Sequence, residues 1–122
     1  MQTYLYVNAF LYALFAVLCT VNATGTAKGL GYVQLSQGGR SEYLVIYGGL
    51  QLGLAVLFWL LARDAQFHRL GILIALGIYI PIVLYRAVTV VKFWPVPALT
   101  AGTGALELAL LIAAAWFYFQ QG

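Results

Sequence analysis

The sequence predicts an all-α integral membrane protein, a four-helix bundle running up-down-up-down. Three observations predict it. Of 122 residues, 64% are hydrophobic and 7% charged, where a soluble domain carries about 25% charged residues. Four windows, about 4–23, 43–62, 70–91 and 98–119, reach the roughly 20 apolar residues that a helix needs to cross a hydrocarbon core about 30 Å thick. Backbone groups in lipid must be satisfied within the chain, and the alternating ten-residue segments of a barrel are absent, so the windows read as helices. All four fall in one domain, 1–122, and the mean hydropathy of +0.93 argues against a disordered or water-soluble chain.

The first window runs from Tyr4 to Ala23. Residues 4–21 followed by Val21-Asn22-Ala23 also resemble a signal peptide, but Met1-Gln2-Thr3 lacks a basic residue and the apolar run exceeds an ordinary h-region. A retained span is expected. Residues 24–42 form a long polar connection with a moderately apolar middle, Leu30 to Leu35, expected at the membrane interface. The second window, Tyr43 to Ala62, holds no charge. Residues 63–69 form a short charged connection. The third window holds one charge, Arg86, and the fourth one, Glu107. Between them, Lys92 to Pro97 carries two prolines that stop the helix.

Both termini and the 63–69 connection share one side, with Arg63 and Arg69. The other side carries Lys28, Arg40 and Lys92. The dense 63–69 connection points to cytoplasmic termini, in a multi-pass protein of a cell membrane, bacterial inner membrane by expectation. Tyr4, Trp59, Trp116 and Tyr118 are expected as interfacial anchors at the terminal side, and Tyr43, Tyr85 and Trp94 at the other.

The net charge of +3 is scattered, with no basic stripe for nucleic acid. One cysteine, Cys19, excludes an intrachain disulfide, and no CxxC pair exists. One histidine, His68, sits in the second connection. No metal site and no cofactor are expected.

The polar residues converge by depth. Arg86 precedes Lys92 by six residues, about 9 Å at a rise of ~1.5 Å. Glu107 lies about 10–15 Å deep in the fourth helix. The two are therefore expected at one level on neighbouring antiparallel helices, with Glu42 shallower on the same side. A charge at the centre of a membrane helix costs roughly 2.5–3.5 kcal/mol, so opposite charges at one level should face inward and pair. Two readings stay open: a packing ion pair, or a polar pocket. The candidate ligand-binding set is Glu42, Tyr47, Gln51, Tyr79, Arg86 and Glu107.

Gly49 and Gly53 have the small-xxx-small spacing that lets helices approach closely. Glu42, Gly49 and Gly53 share a helix face, expected to point into the bundle, with a homodimer seam as the alternative. Gly77 and Pro81 repeat the spacing. Pro81 removes the N–H that would bond residue 77, so a kink is expected there. Asn8 is read as an interhelical hydrogen-bonder.

From Ser41 through Glu42, Tyr47-Gly48-Gly49-Leu50 and Gly53 to Leu54, the chain resembles the domain-of-unknown-function 4345 family of small bacterial membrane proteins with four predicted helices. Arg86 and Glu107 are similar to a late basic residue and a fourth-helix Glu in that pattern. The resemblance implies a fold and no activity. A likeness to DoxX-type proteins is topological only.

Three functions follow as expectations. The first is binding or transport of a lipophilic molecule or small solute, with Arg86 on an anionic or carbonyl group. The second is an intramembrane lipid or isoprenoid isomerase using Glu42 or Glu107 as acid and base. The third is a structural or accessory subunit packing through Gly49 and Gly53. The partners expected are membrane lipid, a lipophilic ligand, and a second copy or a membrane-complex subunit, with no nucleic acid.

Overall fold

In the computed structural model, which describes residues 1–33 and 36–121, the chain is helical from end to end, with no strand among the described residues. Helix α1 covers Gln2–Val21. Asn22 ends it and caps the short α2, Ala23–Gly29, by accepting from the Gly25 amide. Asn, Asp and Ser favour such positions because their oxygens satisfy amides that a helix start leaves free. Ser36 repeats the device for α3, Gln37–Leu44, accepting from the Gly39 amide at 3.0 Å. That cap starts the second long helix six residues before the expected Tyr43.

From α3 the chain continues through a π-helical stretch, Val45–Leu50, into α4, Gln51–Arg63. Asp64 and one 3₁₀ turn, Ala65–Phe67, lead into α5, His68–Lys92. The charged connection is therefore shorter than the sequence suggests, because Asp64 accepts from the Gln66 amide and begins the next helix at once. Helix α5 continues through Pro81. After Pro95 and Pro97, α6 covers Ala98–Gln121. Four helical stretches, Gln2–Val21, Gln37–Arg63, Ala65–Lys92 and Ala98–Gln120, are long and apolar enough to cross a membrane.

The polar connection between the first two long helices carries more structure than expected. In α2, Ala27 is buried with Cys19 and Tyr43, and Leu30 packs on them. Leu30 also accepts from the Thr100 hydroxyl on α6. Val33 is fully exposed. Gln34 and Leu35, the end of the segment expected at the interface, lie outside the described residues. Gly31 adopts a positive φ of 102° where the chain leaves α2, a conformation that suits glycine.

Helix α1 packs along α4 and the π-helical stretch in opposite chain directions. Gln2 donates to the Ala62 carbonyl, Tyr12 stacks on Phe58, Phe15 meets Tyr47 edge-on, and Cys19 lies under Tyr43. Helices α5 and α6 form a second antiparallel pair, with Arg69 over the Tyr118 ring and Arg86 against Glu107. The pairs meet in a core of Leu5, Ala9, Phe58, Ala62, Ile72, Ala75 and Tyr79. Small residues set its closest approach: a Cβ on Gly71 would lie 2.8 Å from Leu5. Among the described residues, helix α6 contributes one buried residue, Ala114. Outward faces carry Phe10, Val17, Leu84, Val88, Ile112 and Phe119, all exposed. Apolar surface of that extent fits a lipid-facing protein better than a water-facing one.

Candidate functional site

The charged residues predicted to meet do meet. Arg86 donates through Nε to Glu107 Oε1 at 2.8 Å and through Nη2 to Oε2 at 3.2 Å, a two-pronged contact between α5 and α6. Planar guanidinium and carboxylate groups suit this parallel geometry. The arginine side chain is 31% exposed and the glutamate 15%, so the pair opens to the surface on the arginine side. Gly104, one turn before Glu107, makes the arrangement possible. A Cβ there would lie 3.0 Å from Arg86 Cγ and 3.3 Å from Cδ. The arginine stem thus lies flat on bare α6 backbone. Sequence reasoning missed Gly104, although its i−3 spacing from Glu107 puts both on one helix face.

Tyr47, half-buried in the π-helical stretch, lies in the neighbourhood of this pair. Its ring stacks on Tyr43 at 4.6 Å, and Tyr43 in turn meets Tyr32 edge-on at 5.7 Å. The Tyr43 hydroxyl donates to Thr26 at 2.8 Å and reaches Cys19 Sγ at 3.6 Å. An aromatic wall therefore leads from Arg86 toward the α2 end of the molecule.

The other members of the expected set lie elsewhere. Glu42 is exposed and forms no ion pair among the described residues, so the cluster holds two charges rather than three. Gln51 is half-buried, with no side-chain hydrogen bond among the described residues. Tyr79 is buried in the core, where its hydroxyl donates to Asn8 Oδ1 and accepts from Tyr12 at 2.8 Å. Asn8 also donates to the Tyr4 carbonyl at 2.9 Å, within α1. Asn8 thus joins helices, as expected. Tyr4 corrects its expected interfacial role: it is buried, and its hydroxyl donates to the Leu110 carbonyl at 2.8 Å. Tyr79 precedes Arg86 by seven residues, so it lies about 10 Å further along α5, too far to share one ligand contact.

The packing glycines also need correction within the single chain. Gly49, Gly53 and Gly77 are exposed, and an added Cβ on each would meet nothing within 4 Å. Pro81 is exposed as well. Gly48 is the buried glycine, with a Cβ position 2.8 Å from Thr20 Oγ1. The expected face assumed α-helical spacing from Glu42 to Gly53. The π-helical stretch interrupts it, and its wider turns rotate the face that reaches α1.

Every buried side-chain nitrogen and oxygen among the described residues has a hydrogen-bond partner. No group of three His, Cys, Asp or Glu side chains that could hold a metal ion occurs among the described residues. Fold and site together define an all-helical protein with four membrane-length apolar helices and one ion pair between the last two. No family model, curated protein or solved structure matches the chain.

Proposed function

We propose that the chain crosses a cell membrane four times, up-down-up-down, and binds or carries a lipophilic molecule at Arg86. The observation that supports this is the incomplete use of the guanidinium. An arginine has five N–H donors, and Glu107 takes two of them. The others belong to a side chain that is 31% exposed beside Tyr47 and Gly104. Glu107 cancels the arginine's charge, so the pair as a whole is neutral. Such a site favours a neutral molecule with a carbonyl or hydroxyl oxygen over a free anion. The apolar outward faces of α5 and α6 would hold its hydrocarbon part.

The test uses a long-chain methyl ketone bearing a diazirine, with a hydrocarbon of equal length bearing the same diazirine as control. In membranes the ketone is expected to label the stretch around residues 47, 86 and 104, and the hydrocarbon to label outward faces without preference. Arg86→Gln and Glu107→Gln should reduce ketone labelling there to the hydrocarbon level. Unchanged labelling in both variants, with helicity intact, overturns the proposal.

A second reading, an accessory subunit or homo-oligomer, is favoured by the sparse burial of α6 and the open surfaces at Gly49, Gly53 and Gly77. It predicts stable copurification of a second chain. The isomerase reading draws less support, because both Glu107 oxygens are engaged by Arg86 and Glu42 stands apart.

A further inference from the structure

The opposite end of the molecule carries a second feature, independent of Arg86. Where α4 gives way to α5, an open-sided cavity of about 450 Å³ is lined by Leu57, Leu60, Leu61, Phe67 and Leu70 together with the charged Arg63 and Asp64. Its volume falls within the range of about 300–1,000 Å³ usual for small-molecule sites. Arg63 ends one membrane-length helix, and Asp64 stands between it and the next. Arg63 and Asp64 therefore sit at headgroup level if these helices span a bilayer, with Leu57 and Leu60 one to two turns deeper along α4.

These two charges are adjacent in sequence but form no ion pair with each other among the described residues. The Arg63 guanidinium carbon lies 4.6 Å from the centroid of the Trp59 ring. Stacking of this kind holds the group through its face and leaves its N–H edge free to bind a phosphate. Asp64 accepts from the Gln66 amide at 3.2 Å and from Gln66 Nε2 at 3.1 Å. A carboxylate has about four lone-pair positions, so it retains capacity for another donor. One fixed cation and one fixed anion thus flank an apolar slot.

We propose that this cavity binds a phospholipid with a primary-ammonium headgroup, a phosphoethanolamine lipid, with its phosphate on Arg63, its ammonium on Asp64 and an acyl chain along Leu57, Leu60 and Leu70. The charge pattern selects this class. A phosphoglycerol headgroup brings a phosphate but no cation for Asp64. A phosphocholine headgroup brings a cation without an N–H to donate. The Asp64 hydrogen bond to the ammonium is charge-assisted, and such bonds are among the stronger in proteins.

The experiment is native mass spectrometry of the full chain in detergent, titrated with dioleoyl phosphoethanolamine, phosphocholine and phosphoglycerol lipids. The wild type should bind the phosphoethanolamine lipid about tenfold more tightly than either other lipid. Asp64→Asn keeps a residue able to cap the 3₁₀ turn, yet should bring that lipid level with phosphocholine. Arg63→Gln should weaken all three. Glu42→Gln removes an acidic group at the far end and should leave the preference unchanged. Three results would overturn the assignment: phosphoglycerol binding tightest in the wild type, a preference that survives Asp64→Asn, or a preference that Glu42→Gln also abolishes.

Discussion

The hydrogen-bonded cluster of Asn8, Tyr12 and Tyr79 and the ion pair of Arg86 and Glu107 solve the same problem differently. Both place polar side chains among apolar helices. The first is uncharged, with Asn8 and Tyr79 buried and Tyr12 half-buried, and its groups satisfy one another: Tyr79 donates to Asn8 and accepts from Tyr12, and Asn8 anchors itself on the Tyr4 carbonyl. The second is charged, lies between α5 and α6, and leaves the arginine side chain 31% exposed. A closed set of neutral groups fixes which helices touch. A half-open charged pair leaves N–H donors unused by its partner. On the proposed function, the difference separates a part of the molecule that organises packing from the part that would take a ligand.

Substitutions should expose that difference in order of size. Glu107→Leu leaves Arg86 unpaired and should destabilise the protein by about 2–3 kcal/mol, below the cost of breaking a fully buried pair because the guanidinium is partly exposed. Reversible unfolding in mixed micelles measures this. Gly71→Val presses a branched side chain into Leu5 and should cost about 1–3 kcal/mol in the same assay. Tyr79→Phe strands the Asn8 oxygen and the Tyr12 hydroxyl, with an expected loss of about 1–2 kcal/mol and no effect on ketone labelling at Arg86. A fall in labelling would merge the two regions into one functional unit. Gly53→Ala meets open space and should change monomer stability by under about 0.5 kcal/mol. A larger loss, accompanied by a smaller particle in size-exclusion chromatography, would place that face in a contact between copies.

Much of the fold was legible because an apolar run of membrane length needs no partner to declare itself. The Arg86–Glu107 pair was legible for a related reason: two lone charges in apolar helices at matching depth have few other places to go. Which face of each helix turns inward was harder to read. Helices that are apolar all round carry little amphipathic signal, so the four-residue spacing of Gly49 and Gly53 and the face they share with Glu42 decided which side was expected inward. The π-helical stretch Val45–Leu50 then broke the spacing on which that choice rested. Tyr4 failed for the opposite reason. A tyrosine near a helix end suits either an interface or a buried carbonyl, and only the arrival of Leu110 from α6 decides between them. Gly104 was missed because the absence of a side chain is visible only once Arg86 lies across it.

On the proposed function, Arg86 serves a ligand as well as its partner glutamate. Exchanging the charges, Arg86→Glu with Glu107→Arg, tests it most directly, because the exchange keeps the bridge between α5 and α6 while moving the guanidinium off the position beside Gly104. The exchanged protein should regain most of the stability lost in Glu107→Leu and take up no more ketone probe than hydrocarbon control. Restored stability with undiminished ketone labelling around residues 47, 86 and 104 would contradict that role for Arg86.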